Sequence, residues 1–127
     1  MTTTQETQPV RTVRDLIAAV DRRETETAAS YLTDDVRFRF GSAEEIAGKP
    51  AVEAMSRAFY ESIAGIRHTF LGLWQVTDDT VACVMDVHYE RLDGRALTLP
   101  CANVFRFRAG LVDDYRIYMD VAPVFGP

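Results

Sequence analysis

The chain has 127 residues, 47% of them hydrophobic, with 19 acidic against 14 basic side chains and a formal charge of −5. The length suits one domain, the apolar content excludes a disordered chain, and the acidic excess argues against nucleic acid, whose phosphates need a basic surface. No apolar run approaches the roughly 20 residues of a membrane span, and Met1 to Pro9 lacks the basic and apolar regions of a signal peptide; a cytoplasmic protein is expected, with a disordered tail over 1–9 and a single domain over 10–127.

Val13, Leu16, Ile17 and Val20 recur at helical spacing and predict a first helix over Val13 to Asp21. After the charged break at Arg22 to Thr25, Ala28 to Leu32 reads as a second short helix. Val36, Phe38 and Phe40 alternate with Arg37 and Arg39, the signature of a strand with one apolar face. Gly41 to Lys49 reads as a loop. Pro50 suits the first turn of a third helix over Ala51 to Ile63, whose stripe is Val52, Met55, Phe59 and Ile63. A meander of four strands follows: His68 to Val76, Val81 to Leu92, Ala96 to Arg108 and Leu111 to Asp120. The order predicts an α+β fold, a curved antiparallel sheet with three helices over one face. Cys83 and Cys101 have no metal-ligand spacing and read as small apolar strand residues in a reducing compartment.

The two hairpins assign the faces. Asp93-Gly94 suits a two-residue loop, which would pair Leu92 with Arg95 and set His88 opposite Leu99, Asp86 opposite Cys101 and Val84 opposite Asn103. Asp86, His88, Cys101, Asn103 and Phe105 then share the inner face, while Met85, Tyr89 and Arg106 lie on the other. A three-residue loop at Arg108 to Gly110 would pair Asn103 with Tyr115 and Cys101 with Ile117, adding Tyr115, Ile117 and Met119 to the inner face. An apolar wall with a few central polar groups is the usual make-up of a small-molecule pocket. Tyr31, Phe59 and Tyr60 are expected as its lid or wall. His68 begins a strand with no evident partner and reads as a surface or edge residue. Trp74 reads as core or dimer interface, and Tyr89 and Tyr118 as subunit interface.

Four stretches give the chain a resemblance to the nuclear transport factor 2-like superfamily and its SnoaL-like group: Tyr31 to Val36, Gly48 to Val52, Asn103 to Gly110 and Asp114 to Asp120. The resemblance implies a cone-shaped α+β barrel with a deep apolar cavity, commonly a homodimer. It also implies site positions. In limonene-epoxide-hydrolase-like members the aspartate of the long third strand matches Asp86. Their other polar positions fall on Val84, Ile117, Phe38 and Phe40, which argues against the same hydrolysis. In ketosteroid-isomerase-like members the base falls on Phe40, one oxyanion donor on Leu16 and the other on Asn103. The active histidine of SnoaL-like cyclases matches His88.

The expected site is therefore Asp86 as base, His88 as its partner and Asn103 as oxyanion donor. The walls expected around a substrate are Phe38, Phe40, Tyr60, Val84, Cys101, Phe105, Tyr115 and Ile117. The expected activity is a cofactor-independent cyclase or isomerase acting on a small apolar carbonyl or polyketide-like substrate. A non-catalytic hydrophobic-ligand carrier, a dimeric interaction domain and an epoxide hydrolase are the alternatives. No glycine-rich phosphate loop and no metal-spaced ligand set is present, so neither cofactor nor metal is expected.

Overall fold

In the computed structural model, which describes residues 6–127, helix α1 (Gln8–Asp21) starts where the Thr7 side chain accepts a hydrogen bond from the Val10 N–H at 3.3 Å. Pro9 lies in its first turn, where a missing N–H leaves nothing unpaired. The helix thus takes in the end of the expected tail; residues 1–5 lie outside the described residues. Val10, Val13, Leu16 and Ile17 form its buried stripe. α2 (Thr25–Ala29) comes earlier than its expected span, because β1 (Leu32–Phe40) begins already at Leu32. The expected loop contains a short strand, β2 (Ile46–Ala47). α3 (Lys49–Glu61) follows Gly48, whose φ of 95° suits glycine.

The remaining strands are β3 (Gly65–Thr77), β4 (Thr80–Glu90), β5 (Ala96–Arg108) and β6 (Leu111–Tyr118), and a short helix α4 (Ala122–Phe125) closes the chain. One six-stranded sheet runs in the order β2-β1-β6-β5-β4-β3. Its pairs are antiparallel except β1 with β6, which is parallel. The sheet is curved and unclosed, and its inner face packs on α1, α2 and α3, as the α+β reading expects. No helix among the described residues is long and apolar enough to cross a membrane.

The first hairpin departs from expectation by one residue, and everything on β4 changes face. Arg91 N–H donates to the Arg95 carbonyl at 2.8 Å, so the loop is Leu92, Asp93 and Gly94, with Gly94 left-handed at φ 88°. Asp93 enforces it: its carboxylate accepts from the Arg95 backbone N–H at 3.0 Å and from the guanidinium groups of Arg95 and Arg91. Arg95's side chain, then its backbone N–H, holds the Asp93 carboxyl down to about 2. Met85 therefore faces Cys101, and Cys83 faces Asn103. Val81, Cys83, Met85, Val87 and Tyr89 are buried on the inner face, while Val84, Asp86 and His88 point to the outer one. A slip of one residue in a period-2 element exchanges its faces.

The second hairpin holds two departures that cancel. Its loop has two residues, Ala109 and Gly110, both left-handed at φ 52° and 84°. That alone would reverse β6. A bulge then intervenes, with Phe107 paired to Val112 but Arg106 to Asp114, leaving Asp113 extra. Parity is restored, and Phe105 pairs with Tyr115 and Asn103 with Ile117 on the inner face.

Candidate active site

Between the inner face and the helices lies a cavity of about 70 Å³. One water needs about 10–15 Å³ on this measure, so there is room for several waters or one small organic molecule. Of the expected wall residues, Phe38, Phe40, Tyr60, Cys101, Tyr115 and Ile117 line it, as does Asn103. Phe105 shares the face but is fully buried against Tyr115, with ring centroids 4.6 Å apart, so it backs the wall rather than forming it. Val84, Asp86 and His88 do not reach it. They stand on the outer face, where His88 Nδ1 lies 3.2 Å from Thr98 Oγ1. The corrected register removes the expected base and its partner from the site.

The acid–base pair that the cavity does contain comes from elsewhere. Ile66, His68 and Phe70 alternate inward along β3 against outward Arg67 and Thr69. His68 lines the cavity, and its side chain is only 9% exposed. Its Nδ1 lies 2.5 Å from Asp21 Oδ1, and its backbone N–H donates to both oxygens of that carboxylate at 3.1 and 3.0 Å. Asp21 is the last residue of α1. A carboxylate is disfavoured at a helix C-terminus, where the macrodipole is negative, so its place there depends on the donors that His68 brings. With Nδ1 bound to Asp21, Nε2 is the ring nitrogen left to exchange a proton with a guest. His68 does stand on an edge strand, but its buried side chain overturns the surface reading. The inward alternation of Ile66, His68 and Phe70 is the signal that marked it, but its partner lies 47 positions away.

Neutral hydrogen-bond donors complete the cavity. Asn103 is 1% exposed, and its amide oxygen accepts from the Cys101 thiol at 3.1 Å. That leaves the amide nitrogen without a partner among the described residues, on the cavity side. The Tyr60 and Tyr115 hydroxyls likewise bond to no described residue. Burial, with the charge of Asp21 adding, pushes the Tyr60 phenol up to about 12. Burial also raises Tyr115 well above its ordinary value, and the Cys101 thiol to about 12. These groups stay protonated at neutral pH: they can donate to a developing oxyanion, and Cys101 is a poor thiolate nucleophile. Tyr89, expected at an interface, is buried beside the cavity, and its hydroxyl donates to Met119 Sδ at 3.5 Å. Phe59 completes the wall, stacked edge-on with Tyr60 and Tyr89. Tyr31, weighed as a lid, is not among the lining residues. Among the described residues no group of three or more His, Cys, Asp and Glu is placed to hold a metal ion.

The model of one protein family, described as the SnoaL-like domain, matches residues 13–115. No curated protein matches the chain. Solved structures share the fold at low identity. An NTF2-like protein of unknown function from Burkholderia pseudomallei K96243 is 21% identical, with 94% of this chain and 96% of that chain covered and a TM-score of 0.86. A protein from Jannaschia sp. CCS1, provisionally named a SnoaL-like polyketide cyclase, is 19% identical over 98% of this chain and 94% of its own, with a TM-score of 0.83. An LEH-like epoxide hydrolase from M. tuberculosis is 17% identical over 93% and 86%, with a TM-score of 0.78.

Proposed function

The chain belongs to the SnoaL-like domain family, and on that premise we propose that it is a cofactor-independent proton-transfer catalyst of the cyclase or isomerase kind, acting on a small uncharged carbonyl compound held in the cavity. The observation that carries this reading is the 2.5 Å contact between His68 Nδ1 and Asp21 Oδ1 at the wall of an apolar cavity. Asp21 accepts the Nδ1 hydrogen and keeps the Nε2 lone pair available as base. His68 removes a proton from the carbon beside a carbonyl, and the electron pair moves onto the carbonyl oxygen. Tyr60, Tyr115 and the Asn103 amide are the donors available to that oxygen. Where the substrate has a β,γ double bond, the imidazolium returns its proton to the γ-carbon of the dienolate and the double bond moves into conjugation; otherwise the enolate carbon attacks a second carbonyl of the same molecule and the proton goes to the new alkoxide. Asp86 faces away from the cavity, and Glu53, the carboxylate among the lining residues, is paired with Arg57 at 3.3 Å, so the β4 carboxylate that the epoxide-hydrolase reading needs is not in the cavity.

The test is α-hydrogen exchange of small ketones in D₂O, followed by NMR. Wild type is expected to exchange well above the buffer rate, and His68→Asn to lose at least about 100-fold with an unchanged fold. Saturable binding without exchange would replace catalysis by the carrier reading.

The outer face supports the expected homodimer as part of this proposal. Two adjacent rows cross it, Gly72-Val84-Ala102-Tyr118 and Trp74-Ala82-Val104-Arg116. Trp74 is 54% and Tyr118 56% exposed, and the Trp74 indole occupies the space beside Gly72 that a Cβ there would need. Such a band of small and aromatic side chains suits an isologous contact with a second copy. Light scattering should give twice the chain mass for wild type and the single mass for Val84→Arg; a monomeric wild type would remove the dimer.

A further inference from the structure

The cavity adjoins a second, open space. Phe38, Phe40, Met55, Phe59, Ile117 and Met119 line both the cavity and a groove of about 920 Å³ that opens to solvent. The groove's outer walls come from the loop after β1, with Ala43, and from the C-terminal segment, with Phe125. Phe125 is half exposed, yet the helix that carries it is fixed. Val124 is buried, the Ala122 N–H donates to Asp120 Oδ1 at 3.0 Å, and the Arg91 guanidinium donates to the Pro123 carbonyl at 3.2 Å. The Phe125 ring meets Phe59 edge-on at 6.1 Å, and Phe59 lines both groove and cavity. An aromatic ring held half in water above an apolar floor keeps area in reserve for a guest.

We propose that cavity and groove form one elongated site, and that its substrate class is an uncharged carbonyl compound with a compact head in the cavity and an apolar tail in the groove against Phe125. The assignment of the head rests on the proton-transfer reading; the tail rests on the six residues that the two spaces share. No lysine or arginine among the described residues lines the cavity, so an anionic head would find no permanent cation there. The groove's arginines are engaged with protein: Arg39 donates to the Ala43 carbonyl, and Arg116 to Glu45 and Asp114. Ser42, Glu44 and Asp120 also line the groove, and the tail's apolar contacts are the rings of Phe40 and Phe125 with Ile117 and Met119.

Equilibrium dialysis of straight-chain methyl ketones, from butanone to the dodecanone, tests this without relying on turnover. In wild type and in His68→Asn alike, affinity should keep rising along the series by about threefold to fourfold per methylene. Phe125→Ala should lose about tenfold for the longest ketone and less than about twofold for butanone. Ala43→Trp, an exposed site that would fill the groove without touching the core, should flatten the series after its shortest members. Affinity that levels off early in wild type, long-chain binding indifferent to both variants, or no binding of any member would overturn the proposal. A full chain-length dependence without α-hydrogen exchange would keep the elongated site and end the proton-transfer reading alone.

Discussion

Asp21→Asn is expected to slow α-hydrogen exchange by roughly 10²–10⁴-fold while the protein stays folded. The argument is one of tautomer. Asp21 is an acceptor, so in the neutral ring the Nδ1 that it contacts at 2.5 Å carries the hydrogen and Nε2 carries the lone pair. An asparagine amide has the same shape but can present its NH₂ to Nδ1, which stabilises the opposite tautomer and leaves Nε2 as a donor. Stability should change little, because loss of the charge-assisted bonds is opposed by removal of a negative charge from the C-terminus of α1, worth about 0.3–1 kcal/mol. Asp21→Ala separates positioning from support: it leaves the His68 backbone N–H without its acceptor and should destabilise by about 1–3 kcal/mol as well as slowing exchange. Asp86→Asn, on the outer face, should leave exchange within about twofold of wild type. A large loss with Asp86→Asn and none with Asp21→Asn would return the site to the register read from sequence, and thermal unfolding of all three variants shows that each is folded.

That contrast also marks where local pattern stops informing. The stripe Val13, Leu16, Ile17 and the alternation Val36, Phe38, Phe40 report burial directly, and both elements fold as their periodicity requires. Face assignment on β4 depended instead on one turn. Asp93-Gly94 supports a two-residue loop equally well until Arg91 and Arg95 are seen to clamp the Asp93 carboxylate and draw Leu92 into the turn. β6 kept its faces only because the bulge at Asp113 offset a shorter loop, and neither feature has a strong signature of its own. The His68–Asp21 pair joins a helix end to a strand across 47 positions, a relation set by packing alone. Asn103, Phe38, Phe40 and Tyr115 are legible because they depend on β5, β1 and β6, whose inner faces agree with the expected ones, and Phe59 and Tyr60 because they lie on α3.

Raising the pH should unfold the protein steeply from about pH 9 upward, with tyrosinate absorbance and loss of secondary structure appearing together. Burial lifts Tyr60 from 10.0 to about 12, Cys83 from 9.0 to about 11 and Cys101 from 9.0 to about 12, and it raises Tyr89 and Tyr115 as well. Between its unfolded and folded values each group holds its proton in the native state and releases it on unfolding. The unfolded state then binds fewer protons, so stability falls as pH rises. The contribution is complete below the unfolded values, near pH 9 for the thiols and pH 10 for the phenols, and is lost through the folded ones. At about 1.4 kcal/mol per unit, Tyr60 alone stands for about 3 kcal/mol between pH 10 and 12. With the two thiols the loss reaches the roughly 5–15 kcal/mol that holds a typical domain together. Cys101→Ala gives a graded check, since removing one raised group should make the alkaline limb shallower. Three of the five tyrosines should stay protonated until the fold opens; titration of all five with the circular dichroism intact would show that the cavity admits hydroxide freely and that its donors are not desolvated. A coincident transition would instead locate Tyr60 and Tyr115 in the dry wall that oxyanion stabilisation requires.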